Sequence, residues 1–232
     1  MDQKLFIDEN LIICALKNEH IDEVANLVTD VFVHFEPMTA FLCIKEKTFH
    51  DYFLLPWLVN SKMELSLVAI QNKKIVAALL NEEIILPVIQ HNDQINVPGM
   101  EPIFELLGEM EDKWFATIEG QSYGCYSNEQ SECRIQCKVF HMFMVAVDEK
   151  YRMNGLAHQL LTQSIKYAEE NGYNYIIAEA TGIASQKAFY RLGFQCLESY
   201  NYETWTDNNN QQPFQKLINI KISGIVIPLL KS

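Results

Sequence analysis

No run of eighteen apolar residues occurs in this 232-residue sequence, so no membrane-spanning helix is expected. The opening Met-Asp-Gln-Lys lacks a signal-peptide pattern, and a cytoplasmic protein with no membrane partner is the expectation. Basic residues are scarce: 18 Lys and Arg stand against 30 Asp and Glu, for a formal charge of −12. A nucleic-acid partner needs a basic footprint, which this composition does not supply. An acidic field attracts cationic substrates such as amines, and it serves simple solubility equally well. Six cysteines are present, but Cys125, Cys133 and Cys137 do not have zinc-finger or ribbon spacing, and no His follows at ligand spacing. Free thiols and no metal are expected.

What the sequence does have is one ordered stretch, Val139 to Phe194. Nine residues almost without charge, Val139 to Val147, suit a buried strand. Asp148-Glu149-Lys150-Tyr151 then turns into Arg152-Met153-Asn154-Gly155-Leu156-Ala157. Apolar or small residues at 157, 160, 161, 164, 165 and 168 follow with helical spacing, and Asn171-Gly172 stops the helix. Gly155 and Ala157 let a bound group come close to the backbone, where free N–H groups and the helix dipole favour an anion. Taken alone, Arg-x-x-Gly-x-Ala also fits a plain helix start with a surface Arg. The context is a second strand at 173–180, a short helix at 184–192, and closure at Gly193-Phe194.

Either side of this stretch the chain alternates strand and helix patterns. A first strand is expected within Lys4 to Leu16. A helix carries Ile21, Val24, Ala25, Val28 and Phe32 on one face and ends at Pro37. Thr39 to Leu55 reads as a second helix with Phe41, Phe49 and Phe53 as anchors. Ser66–Ile70 and Ile75–Asn81 read as a hairpin, with Glu82 and Glu83 interrupting the second run. Ile103–Trp114 is amphipathic, Ser122–Ser131 reads as a polar mobile loop, and Ile218–Leu229 as a final strand. The expectation is one α/β (α+β) domain over residues 1–232, with a mixed sheet of about seven strands and helices on both faces.

The order of strand, Arg152 loop, helix, strand, helix and Leu192-Gly193-Phe194 closure resembles the GCN5-related N-acetyltransferase (GNAT) superfamily. That resemblance implies a coenzyme core at 139–194 and acetyl-CoA as cosubstrate. It implies that the backbone of Val145, Ala146 and Val147 pairs with the pantetheine arm. Arg152, Met153, Asn154, Gly155, Leu156, Ala157 and His158 would wrap the pyrophosphate. Asn154 stands where many members carry Arg or Lys. The segment Phe35-Glu36-Pro37-Met38 is similar to the Asp-Glu-Pro-Leu segment of insect arylalkylamine, or dopamine, N-acetyltransferases, with Phe35 and Met38 in place of Asp and Leu.

The chemistry such a family performs sets the remaining candidates. A primary ammonium has a pKa near ~10.4 and must lose a proton before it attacks a thioester. Glu36 lies between an aromatic residue and Pro37, a setting that suits a proton acceptor, although a Glu at a helix end is more often simply solvated. In the insect family the matching Glu is the proposed general base. His141 and His34 are the alternatives, with the satisfied core or edge histidine as the commoner fate. Serines at the positions matching Thr181 and Ser185 are proposed there to bind substrate and protonate the coenzyme thiolate. Thr181 fits equally an N-cap of the short helix. Many superfamily members place a general-acid Tyr where this chain has Phe189. Tyr190, one position on, is turned by ~100°. The resemblance thus implies an acetyl-CoA-dependent N-acetyltransferase acting on a small-molecule primary amine. Two alternatives are a protein or peptide N-acetyltransferase and a catalytically silent coenzyme-binding or structural protein.

Overall fold

Seven strands form one mixed sheet in the order β1-β2-β3-β4-β5-β7-β6, flanked by helices. The computed structural model describes residues 10–86, 97–123 and 137–228. Most of the polar loop expected at Ser122–Ser131, with Cys125 and Cys133, lies outside the described residues. Its described residues fall into two compact units. The first holds 10–82, Val97–Gly99 and Met142–Tyr167; the second holds 83–86, 100–123, 137–141 and 168–228.

In the first unit, β1 (Leu11–Ala15) pairs antiparallel with β2 (Leu67–Gln71), which turns back into β3 (Lys74–Leu86). Asn72 and Lys73 both take positive φ, as the tightest hairpin turns require. α1 (Ile21–Phe35) buries Val24, Ala25 and Val28, as its spacing predicts. It ends one residue before Glu36, and α2 (Pro37–Phe41) starts with proline in its first turn.

The single helix expected over 39–55 does not form. Cys43 stands at φ 53, which ends α2. The chain restarts as α3 (Glu46–Thr48), widens to a π-turn at Phe49–Leu54, and continues as α4 (Leu55–Asn60). Pro56 has no N–H to give the preceding turn, so the ladder loosens just before it. Phe49 and Phe53 remain core anchors: Phe49 stacks on Phe32 at 5.8 Å, and Phe53 meets Phe49 edge to face at 5.2 Å. Glu82 and Glu83 do not interrupt β3. Glu82 accepts the Trp57 indole N–H at 3.3 Å, and within the second unit Glu83 accepts the Tyr173 hydroxyl at 2.9 Å. Each charge finds a donor beside the strand, so the strand continues.

The second unit carries α5 (Glu101–Tyr123), longer than the helix expected at Ile103–Trp114, and the first part of β4 (Cys137–Val147). β4 pairs parallel with β5 (Tyr175–Ala180) through Val139↔Tyr175, Phe140↔Ile176 and His141↔Ile177. Beyond β5 come α7 (Ile183–Arg191), β6 (Gln195–Asn201) and β7 (Lys221–Pro228), with β7 antiparallel to both β5 and β6. Gly193, at φ 91, closes α7.

α6 (Leu156–Glu170) follows the loop after β4. Within the first unit, Asn81 of β3 pins it. Asn81 is fully buried, and its amide donates to the Leu65 carbonyl at 2.8 Å and to Ser164 of α6 at 3.2 Å. Its backbone N–H is taken by the Ser66 hydroxyl at 3.0 Å. Asn81→Ala orphans the Leu65 carbonyl in a buried setting, an effect of about 1–3 kcal/mol. The denaturant midpoint is expected to fall accordingly with the slope unchanged; an unshifted midpoint would show that the network carries no stability.

Candidate active site

The turn leaving β4 is built from backbone bonds first. Asp148 donates its N–H to the Val76 carbonyl at 2.9 Å, accepts the Lys150 N–H at 3.0 Å, and pairs with Lys74 at 3.2 Å. The chain then passes through Met153 at φ 65 and Gly155 at φ 77 before α6 begins. Left-handed backbone at Gly155 is free of the Cβ clash that a side chain would meet. Leu156 is buried and anchors the start of the helix, while Met153 and Asn154 face solvent. Gln159 makes the first intrahelical bond, to the Gly155 carbonyl at 3.0 Å. The N–H groups of Leu156, Ala157 and His158 precede it and have no carbonyl one turn back.

Arg152 adds the charge. Its Nε donates to the Val147 carbonyl at 3.3 Å, and its guanidinium lies 3.8 Å from the centre of the Phe35 ring. No carboxylate of the described residues forms an ion pair with it, in a chain of net charge −12. An anchored cation, a glycine turn and unpaired helix N–H groups following one another in the chain are a donor set that suits a diphosphate. The residues expected to hold the coenzyme, Val145 to Val147 and Arg152 to His158, are thus continuous in the first unit.

Phe35 brings Glu36 into the same unit. Glu36 is buried, and its carboxylate caps α2: Oε1 accepts the Met38 N–H at 3.1 Å and Oε2 the Thr39 N–H at 2.7 Å. It is therefore not a solvated Glu at a helix end. Each oxygen retains a second lone pair for a donor outside the helix. His34 is half-exposed, with Nδ1 2.9 Å from the Asp30 carbonyl and Nε2 3.7 Å from Glu46.

Thr181 and Ser185 belong to the second unit. Gly182, not Thr181, is the N-cap residue of α7, so the capping role expected for Thr181 does not hold. Thr181 lies before the helix, and its carbonyl accepts the Tyr202 hydroxyl at 2.9 Å. Ser185 folds back on the cap: its Oγ accepts the Gly182 N–H at 3.2 Å and donates to the Gly182 carbonyl at 2.8 Å. Phe189 is buried against Phe194 with ring centres 5.0 Å apart, and Tyr190 points outward, as the one-residue offset predicts.

One pair escaped the sequence reading. His141 of β4 and Glu179 of β5 are 2.7 Å apart, Nε2 to Oε2, with side chains only 2% and 6% exposed. Among the described residues Glu179 Oε1 is buried without a hydrogen-bond partner. The signal in the sequence was a lone Glu inside an otherwise apolar strand, Tyr175-Ile176-Ile177-Ala178-Glu179-Ala180.

Residues 104–208 match the model of the acetyltransferase (GNAT) domain. The chain has the GNAT fold, and 104–208 is the part that resembles that domain by sequence. Among solved structures it is similar to arylalkylamine N-acetyltransferase 2 of Aedes aegypti, at TM-score 0.72 and 20% identity, covering 96% of this chain and all of that one. It is also similar to the Drosophila melanogaster polyamine N-acetyltransferase that forms N-acetylagmatine, at TM-score 0.59 and 16% identity over 94% of this chain and all of that one. The ribosomal-protein-S18-alanine N-acetyltransferase of Escherichia coli matches at TM-score 0.50 and 15% identity over 96% of each chain. At these identities the structural matches establish the shared fold.

A cation over an exposed aromatic face contributes about 0.5–1 kcal/mol. Phe35→Leu removes that platform, and the acetyl-CoA Kd is expected to rise about 2–5-fold by calorimetry. An unchanged Kd would mean that Arg152 reaches the coenzyme without Phe35.

Proposed function

We propose that this GNAT domain transfers the acetyl group of acetyl-CoA to a primary amine, with a small arylalkylamine as the leading acceptor class. The observation that carries the reading is Arg152: a guanidinium without a described carboxylate partner, in the turn that leads into the free N–H groups of α6. On this reading the backbone of Val145–Val147 takes the pantetheine arm, and Arg152 through His158 take the diphosphate. The acceptor enters as an ammonium and must lose one proton before its nitrogen can attack the thioester carbon. As the C–N bond forms and the C–S bond breaks, a second proton leaves nitrogen and one is needed by the thiolate. Glu36 is the proton acceptor in this scheme. Ser185 is the donor to sulfur once its hydroxyl rotates off the Gly182 carbonyl, with Thr181 lining the acceptor side. The test is calorimetry with acetyl-CoA followed by thiol release across arylalkylamines, polyamines and N-terminal peptides. Turnover confined to peptides would move the protein to the protein-acetylating class. Failure to bind acetyl-CoA would leave a GNAT fold without its chemistry.

Glu36→Gln separates capping from catalysis. Loss of one capping acceptor costs about 0.5–2 kcal/mol of stability. Loss of basicity lowers turnover by about 10²–10⁴-fold with acetyl-CoA affinity unchanged. Unaltered turnover beside a lowered Tm would leave Glu36 a cap and nothing more.

The buried His141–Glu179 pair favours a second assignment of the base, with the proton passed through water to His141 and Glu179 orienting the ring. Replacing a buried ion pair by apolar residues of similar size is often neutral or stabilising. His141→Leu combined with Glu179→Leu is therefore expected to keep the fold. Under this assignment turnover falls at least about 10²-fold. Retained turnover in the double variant would return the pair to a structural role and leave Glu36 as the base.

A further inference from the structure

In the second unit, one carboxylate of α5 collects three donors from outside its own turn. Glu109 Oε2 accepts the Trp205 indole N–H at 3.0 Å. Its Oε1 accepts the Tyr200 hydroxyl at 3.1 Å and the Lys113 ammonium at 3.2 Å. Lys113 in turn lies 4.6 Å from the centre of the Tyr200 ring. One turn earlier on the same helix, Glu105 accepts the backbone N–H of Asn208. Together they fasten the connection between β6 and β7, residues 202–220, to α5.

That connection is packed from within. Tyr202 and Phe214 are fully buried with ring centres 5.6 Å apart, and Trp205 lies 5.7 Å from Phe214. Tyr202 then reaches out of the loop, its hydroxyl donating to the carbonyl of Thr181. Thr181 leads directly into Gly182, whose N–H and carbonyl hold Ser185. A continuous physical path therefore runs from Glu109 through Trp205, Phe214 and Tyr202 to the Thr181–Ser185 turn. A short β6–β7 turn could close this end of the sheet, so the length of the loop and its fastening call for a use. The Trp205 indole bond, with help from Lys113 and Tyr200, also holds the Glu109 carboxyl below the usual carboxylate range, so it remains an acceptor at neutral pH.

The geometry points to Glu109 as a positioning residue for the acceptor end of the site: it fixes the 202–220 loop, and through Tyr202 the Thr181–Ser185 turn, and so sets which amines are taken. This rests on the acetyltransferase reading above, in which that turn lines the acceptor. Glu109 touches neither coenzyme nor acceptor. Its effect is on selectivity, because a displaced loop changes what fits beside Thr181 while the coenzyme residues lie elsewhere in the sequence.

The test compares wild type with Glu109→Gln, Trp205→Phe and the two combined. Each is measured for acetyl-CoA Kd and for kcat and KM on a small and a bulky primary amine. The expected result is an amine KM raised about tenfold, a changed ratio of kcat/KM between the two amines, and an acetyl-CoA Kd within about twofold of wild type. The combined variant should add little to either single one, because both break the same bond. Equal losses on both amines, or additive effects, would overturn the proposal, as would wild-type selectivity in every variant. Should Glu109→Gln not fold, Tyr200→Phe removes one hydroxyl from the same carboxylate and carries the same comparison. A wild type that acetylates no amine sinks the functional reading instead. Hydrogen exchange then decides the role of Glu109: faster exchange of the Gly182 N–H in Glu109→Gln supports positioning, and change confined to 202–220 overturns it.

Discussion

Where β4 ends, a single aspartate holds the turn. Asp148 bonds back to β3 through its own N–H, forward to Lys150 through its carboxylate, and sideways to Lys74. Three bonds at one residue fix the direction in which the chain leaves the strand. Met153 and Gly155 can then occupy left-handed backbone, which a loosely held loop would have little reason to keep. Arg152 inherits its place from that turn, and α6 starts with its N–H groups facing the same loop. The anion-binding role proposed for this segment rests on backbone geometry, with one guanidinium added.

Several candidate chemical groups also perform structural work. Glu36 caps α2 with both oxygens, and Ser185 closes the first turn of α7 on Gly182. Such duties hold a side chain in one rotamer, which is what a reacting group needs. They also mean that substitution removes two functions at once, so stability and turnover must be read together. The Arg152–Phe35 contact is of the same kind. It ties the Arg152 loop to the residue before Glu36, and Phe35 is where this chain departs from the Asp of the insect segment it resembles.

Much of the architecture was legible because it rests on local rules. The uncharged run of β4, the helical spacing of α6, the glycine closure at Gly193 and the hairpin at Asn72-Lys73 depend on residues adjacent in sequence. The misread segments turned on distant partners or on backbone conformations that no side chain announces. β3 runs through Glu82 and Glu83 because Trp57 and Tyr173 supply donors from other elements. The helix expected over 39–55 broke because Cys43 takes a left-handed conformation that its side chain does not announce. Thr181 lost the cap position to its neighbour Gly182, a choice made by how β5 delivers the chain into α7.

By itself, the sequence determined the order of strands and helices, the Arg152–Ala157 turn and the Glu36-Pro37 break. Each follows from hydrophobic period, a glycine or a proline, which act within a few residues. Tertiary structure alone decided which side chains meet. His141 and Glu179 are 38 residues apart, Glu109 and Trp205 are 96 apart, and neither pairing has a local signature. A strand pattern fixes which face a side chain takes, but not the neighbour across the ladder. That neighbour is set by register, and register is a property of the assembled sheet.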